Sequence, residues 1–438
     1  MIAENLDVEH NKTNAVGQNM YQLITKLYPI CRSITGNGFR ETLNIIKDYI
    51  PLEVHEVPTG TEVYDWTVPK EWNIKDAYIK NSQGAKIVDF NDSNLHVVNY
   101  SVPVQQKMSL DELKTHLFTL PDYPDWIPYR TSYYKESWGF CLTHKQYLEL
   151  QDSETYEVVI DSSLETGHLT YGEYFIAGET TEEVLISCHS CHPSLCNDNL
   201  SGISVAVFLA QHLSKLSLHY SYRFLFIPGT IGSVTWLCHN EAQTRNIKHG
   251  LVLTCVGDGG KFTYKKSRQG SAEIDKIAEY VLANSGKEYE VIDFFPYGYD
   301  ERQYCSPGFN LAVGCFMRSP HGSFPEYHTS ADNLEFVKPE YVADSYTQCL
   351  SIIQILENNK TYLNQNSKCE PRLGKRGLYR AVGGQAEEAL NELAILWVLN
   401  LADGEYSLLA MAQRSGMAFN VINKAAQALL KHDLLKEI

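Results

Sequence analysis

The chain has 438 residues, 44% of them hydrophobic and 21% charged, with a formal net charge of −16. That length allows two or three domains and a sizeable core, and the composition excludes a wholly disordered chain. The acidity excludes a general binder of phosphate backbones.

The opening MIAENLDVEHNKTN has no basic stretch leading into an apolar one. No run of about eighteen apolar residues occurs anywhere, so we expect a cytoplasmic chain with no membrane partner. The eleven cysteines are scattered among apolar segments and are expected to be reduced thiols.

Residues 17–49 read as helical, with Met20, Leu23, Ile24, Leu27, Leu43 and Ile46 at three- and four-residue steps, interrupted by a loop at Gly36 and Gly38. Residues 52–172 change texture: short β-branched and aromatic runs separated by turn residues predict an inserted β-rich subdomain. A short helix is expected at 109–117, with Ser109 and Glu112 forming a capping box. From residue 183 strands alternate with helices, as in VLISCH, SGISVAVFLAQHL, YRFLFIPG and GLVLTCVGD. That alternation predicts a mostly parallel sheet with helices on both faces. Residues 371–438 read as a separate winged-helix domain: a helix over 387–401, the turn DGEY, a short helix capped by Ser407, a turn at Gly416 and a last helix from Ala418. That helix offers only Lys424 and Lys431 as cations, so packing or homo-oligomer formation is its expected role, not nucleic-acid binding.

The densest chemistry is CHSCHPSLCNDNLSG, residues 188–202, directly after a buried strand. The carboxyl end of a strand is where ligands sit in an α/β sheet. The segment contains C-x-x-C-H, but c-type haem attachment normally needs export, and a thioredoxin-like C-x-x-C opens a helix where here Pro193 intervenes. The reading we favour is a metal site. His189 and Asp198 flank one strand–loop–helix turn, Asp258 ends another strand, and His328 lies in the loop EYHTSADN. Imidazoles and carboxylates at one sheet edge suit zinc. His192, Glu326 and Glu301 are further candidates as ligand or acid–base group.

The order His189, Asp198-Asn-Leu-Ser-Gly, Asp258 and His328-Thr-Ser resembles the co-catalytic zinc aminopeptidases that include bacterial leucyl aminopeptidases and glutamate carboxypeptidase II. More closely, and over its whole length, the chain resembles a bacterial aminopeptidase-like family with an inserted domain and a C-terminal winged helix. Some of those relatives are associated with polysaccharide biosynthesis. The segments CHPSLCNDNLSG, YDERQYCSP and EYHTSADNLEF carry that resemblance. It implies a zinc-aminopeptidase-like (phosphorylase/hydrolase-like) mixed α/β sheet flanked by helices and built from residues 1–51 and 173–366. It implies one or two zinc ions, the first on His189, Asp198 and Asp258, the second on Asp198 and His328, with Asp198 as the bridge. Cys191 falls where the aminopeptidases carry an aspartate that orients the first histidine, and Asn199 is placed beside it. Asp300, Arg302 and Tyr327 are expected to contact substrate.

The chain departs from that pattern after the second strand. Where the aminopeptidases carry a Glu-Glu pair, a general base and a ligand, this chain has Gly229 and Thr230. The expected activity is zinc-dependent hydrolysis of an amide in a small peptide or an amino-acid or amino-sugar conjugate. Loss of the glutamates motivates another reading, a catalytically divergent ligand-binding or scaffold protein in polysaccharide biosynthesis. A DNA-binding regulator is the third.

Overall fold

The computed structural model describes residues 2–378 and 392–438, with side chains from residue 15 onward. The chain separates into two units, Met1–Cys349 and Leu350–Ile438.

The first unit is built on an eight-stranded sheet. Its strands are β1 (Glu53–Pro58), β2 (His168–Ile176), β3 (Glu183–His189), β4 (Ser221–Ile227), β5 (Ile247–Leu253), β6 (Phe262–Lys265), β7 (Tyr289–Ile292) and β8 (Val313–Met317). They lie in the order β1-β2-β4-β3-β5-β8-β6-β7. The centre, β4-β3-β5-β8, is parallel, whereas β2 runs antiparallel to β1 and β4, and β6 antiparallel to β8. The longer helices are α1 (Ile2–Leu27), α2 (Asn37–Lys47), α3 (Gly202–Leu213), α4 (Ile231–His239), α5 (Glu273–Ala283) and α6 (Pro339–Asn358), the last of which runs on past Cys349 into the second unit. Every residue of β3, EVLISCH, is buried, as a strand covered on both faces must be. α3 is apolar nearly all round and correspondingly buried. These two elements bracket the loop that carries His189 and Asp198.

The sheet is more mixed than the strand–helix alternation suggests. β6 escapes a sequence reading because KFTYKK looks like a solvated, lysine-rich turn. Lys265 is nevertheless buried, its ammonium paired with the buried Glu301 carboxylate and donating to the Tyr297 carbonyl at 2.8 Å. Within the stretch 52–172, β1 and β2 pair at one edge of the central sheet. The rest forms its own four-stranded antiparallel sheet, Lys86–Asp89, Glu71–Lys80, Thr155–Glu165 and Val104–Ser109. Ala77, Ile79, Leu113, Phe140, Val158 and Ile160 fill its core. The capping box of Ser109 and Glu112 starts the helix Leu110–Lys114. Arg40 of α2 grips this sheet, its two Nη atoms donating to the Glu71 carboxylate at 2.6 and 2.7 Å.

The second unit holds α7 (Glu392–Leu401), α8 (Leu408–Ser415) and α9 (Phe419–Leu430). A three-stranded sheet joins them, with Thr361–Asn364 between Asp403–Ser407 and Leu435–Glu437. This is a winged-helix arrangement. Ser407 caps α8 by accepting from the Ala410 amide, and Gly416 takes the left-handed conformation that ends it. The DGEY segment, read as a turn, is an edge strand, because its backbone pairs with Thr361–Asn364. The start of the helix expected from residue 387 lies outside the described residues. Among the described residues no helix is long and apolar enough to cross a membrane.

Candidate metal centre

β3 delivers His189 at its last position, and the chain then loops through residues 190–195 and one wide helical turn, Cys196–Ser201, before entering α3. The loop is rigidly tied. The Asp332 carboxylate straddles two of its amides, accepting from Asn197 N at 2.6 Å and Asp198 N at 2.9 Å. Burial pushes the Asp332 carboxyl up to about 8 even so. Arg32, fully buried, donates from Nε to the His192 carbonyl at 2.9 Å and from Nη1 to the Leu27 carbonyl at 2.6 Å.

Three imidazoles converge on the Asp198 carboxylate. His189 Nε2 lies 2.7 Å from Oδ1, His328 Nε2 3.0 Å from Oδ2 and His192 Nδ1 3.2 Å from Oδ2. Asp198 and His189 are wholly buried. Burial holds His189 down at about 3, so its imidazole is neutral, the form a metal requires. Burial pushes the Asp198 carboxyl up, but the facing His192 and His189 imidazoles outweigh it and hold it well below the usual range. Asp198 Oδ2 and His328 Nε2 are both buried and both lack a hydrogen bond, although they are 3.0 Å apart. The distance suits a hydrogen bond and the angles do not. Two buried ligand-type atoms that aim past each other in this way fit a shared cation. His189, His192 and Asp198 form one group whose ligand atoms all lie within 4.8 Å of one another, and Asp198, Cys255 and His321 form another.

Neither Asp258 nor His328 is in these groups, and His328 joins the cluster only through its 3.0 Å approach to Asp198 Oδ2. Asp258 Oδ2 accepts from Asn197 Nδ2 at 2.7 Å, and its Oδ1 accepts from Ser319 Oγ at 2.8 Å and Gly260 N at 2.6 Å. It braces the loop that carries Asp198. Asn199 does stand beside His189, with Nδ2 3.5 Å from Nδ1 and donating to the Leu253 carbonyl at 2.9 Å. Cys191 faces elsewhere: its sulfur accepts from the Gly229 amide at 3.3 Å and lies 3.8 Å from the Tyr299 hydroxyl. Glu301 is committed to Lys265 and to the Tyr299 amide. Asp300 Oδ1 accepts from Thr230 N at 2.7 Å and Ser233 Oγ at 2.8 Å, and burial pushes this carboxyl up to about 7. Among the described residues the Glu326 carboxylate makes no hydrogen bond or ion pair; its backbone carbonyl accepts from Thr329. Tyr327 stacks on His328 with ring centres 4.0 Å apart, and both line a cavity of about 510 Å³ with Tyr129 and Arg130.

Tyr299 is a residue that the sequence reading passed over. Its ring lies 3.7 Å from that of His189, and its hydroxyl is 3.1 Å from His192 Nε2. It fills the space above Gly229, where any Cβ would collide with the phenol. Gly229 therefore stands where a glutamate is expected because an aromatic ring from another loop occupies the glutamate's volume. Burial raises the Tyr299 hydroxyl well above its ordinary value and keeps it protonated. Tyr129, from the insert, contributes the roof. Its ring is edge-on to His192 and His328, and its amide donates to the His328 carbonyl at 2.7 Å.

A family model described as a domain of unknown function, DUF4910, matches residues 21–359. The chain belongs to the DUF4910 family. A winged helix-turn-helix model matches residues 360–437, which agrees with the second unit. A Clostridium acetobutylicum protein named for polysaccharide biosynthesis and an aminopeptidase-like domain is 59% identical over 424 residues, 97% of each chain. A crystal structure of a C. acetobutylicum candidate peptidase superposes with a TM-score of 0.93 at 57% identity, over 99% of this chain and 100% of that one. The Bacillus subtilis zinc aminopeptidase BSAP superposes at 0.56 with 13% identity, over 78% of this chain and 94% of its own. A Shewanella amazonensis M28 peptidase precursor gives 0.54 at 13% identity, over 81% and 98%. At such identities the last two show the fold alone: this DUF4910 member has the aminopeptidase-like mixed α/β fold, followed by a winged helix.

Proposed function

We propose that this chain is a zinc-dependent hydrolase that cleaves an amide in a small amino-acid or amino-sugar conjugate. The observation that carries this reading is the pair of orphaned buried atoms, Asp198 Oδ2 and His328 Nε2, facing each other beside the neutral His189. His189, Asp198 and His328 would hold the ion, three protein ligands with a position left open. When bound, zinc supplies Lewis acidity to a substrate carbonyl.

The remaining chemistry falls to the chain's own groups. His192 Nδ1 donates to the Asp198 carbonyl oxygen at 3.0 Å, which leaves Nε2 to accept from the Tyr299 hydroxyl. The phenol carries a single proton, held toward His192 Nε2, so it reaches a developing oxyanion or a leaving amine only by giving up that bond, with His192 fixing where the hydroxyl stands until then. Tyr129 and Tyr327 pack on the imidazoles and screen them in part from bulk water, although the His328 side chain stays 35% exposed. The cavity beside His328 is the route by which substrate reaches them. The name of the C. acetobutylicum relative supports a saccharide-linked substrate.

The test is amine release from a panel of amino-acid amides and N-acyl amino sugars, with zinc and with chelator. Activity should require zinc, and Tyr299→Phe should lower kcat about a hundredfold with KM little changed. Hydrolysis that survives chelation, or no turnover of any amide by zinc-loaded protein, would overturn the reading.

A further inference from the structure

A second cavity, of about 550 Å³, takes Thr230 as part of its wall and is lined further by Trp66, Arg268, Phe294, Arg302 and Gln303. It lies in a chain of net charge −16, yet two arginines line it and no acidic side chain does. Arg302 is the more telling of the two. Its Nε is buried without a hydrogen bond, and among the described residues no ion pair holds its guanidinium, although the buried Asp300 carboxyl, whose Oδ2 also lacks a partner, is near enough to feel its charge. Arg268 donates from Nη1 to the Asn310 side chain at 2.8 Å and to no carboxylate. A buried guanidinium N–H left unpaired is costly, and its natural complement is an anion.

The other wall is aromatic and fixed. Trp66 sits on the hairpin formed by Glu62–Val63 and Trp66–Thr67, where it remains 38% exposed. Tyr64 pins that hairpin, its hydroxyl 3.0 Å from Glu241 Oε2 and its ring against Phe309. Trp66 and Phe294 thus offer apolar ring surface beside the unpaired guanidinium, and Gln303 adds an amide.

We infer that this cavity binds an anionic saccharide, a sugar ring carrying a carboxylate or a phosphate. The anion pairs with Arg302 and Arg268. The C–H face of the ring packs on Trp66 and Phe294, as sugars pack on aromatic side chains, and Gln303 reaches the hydroxyls. Simple anions lack the ring, and neutral sugars lack the charge. The inference rests on the cavity and its charge, and stands whether or not the metal reading holds.

Isothermal titration of the full chain with glucuronate, glucose 1-phosphate, glucose and inorganic phosphate tests it. Glucuronate or glucose 1-phosphate should bind at least about tenfold more tightly than glucose or inorganic phosphate. Which of the two binds better assigns the anion. Arg302→Gln should weaken that binding about tenfold or more, and Trp66→Ala by a similar factor. If Arg302→Gln melts below the wild type, Arg268→Gln takes its place with the same expected loss. Equal binding of glucose and glucuronate, inorganic phosphate binding as tightly as the sugar phosphate, no binding of any probe, or full affinity in a folded arginine variant would each overturn the inference.

Discussion

Gly229 and Tyr299 decide what the site can be. A methyl group at 229 has no room against the Tyr299 ring. We therefore predict that Gly229→Ala destabilises the protein by roughly 1–3 kcal/mol in denaturant unfolding. The same change made on a Tyr299→Ala background should cost little, and additive losses would show that the two residues do not compete for space. Asp300 gives a second prediction. Its carboxyl is held at about 7 by burial, whereas an unfolded aspartate titrates near about 3.9. Between these values the folded chain keeps a proton that the unfolded chain releases. The Asp300 contribution to stability should therefore fall as pH rises from about 4 to about 7 and level off above, beside an opposing rise from the depressed His189 and a further fall to about 8 from Asp332. Asp300→Asn retains the oxygen that accepts from Thr230 and Ser233, and the difference between wild-type and variant unfolding free energies taken across the range should follow that contribution.

The same scale shows how far sequence reading reaches. That His189, Asp198 and His328 come together was legible because each sits at a strand end or in a polar loop at one sheet edge, in a recognisable order. Asp258 has that placement too, but strand-end position does not say which way a turn residue points, and Asn197 and Ser319 claim its carboxylate. Cys255 and His321 carry no spacing signal. Cys255 reaches the cluster with a positive φ of 49°, which no residue pattern announces. Tyr299 was hidden for a related reason: a single aromatic in a loop reads as packing until its neighbours are known.

At the scale of elements, the site is a meeting of one strand end, one tied loop and a roof lent by the insert. Arg32 is the main tie, joining the end of α1 through the Leu27 carbonyl to the loop through the His192 carbonyl. It does so without a carboxylate, and burial lowers it to about 10. Arg32→Met should cost about 2–4 kcal/mol, since it strands two buried carbonyls. A chemical-denaturation midpoint matching the wild type would show the tie to be dispensable. The elements themselves were legible where period and caps agreed, as at the Ser109 capping box and in α3. They were lost where tertiary pairing overrode a polar sequence. β6 became a strand because Glu301 neutralises Lys265, and the DGEY segment became one because the wing needed an edge.

At the scale of the molecule, the division into two units leads us to predict two unfolding events. A ligand that binds only the first unit stabilises that unit alone. Zinc at about a hundredfold above its dissociation constant should add about 2.7 kcal/mol to it and nothing to the winged helix. Calorimetry should then show one transition moving to higher temperature with zinc and one standing still. Movement of neither, or of the winged-helix transition alone, would contradict the assignment of the metal to the first unit.

Diffraction from zinc-soaked crystals, recorded on both sides of the zinc absorption edge, tests the central claim most directly. The predicted result is an anomalous peak about 2.0–2.2 Å from His189 Nε2, His328 Nε2 and a carboxylate oxygen of Asp198. No peak between those side chains, or zinc held only elsewhere on the protein, would contradict it.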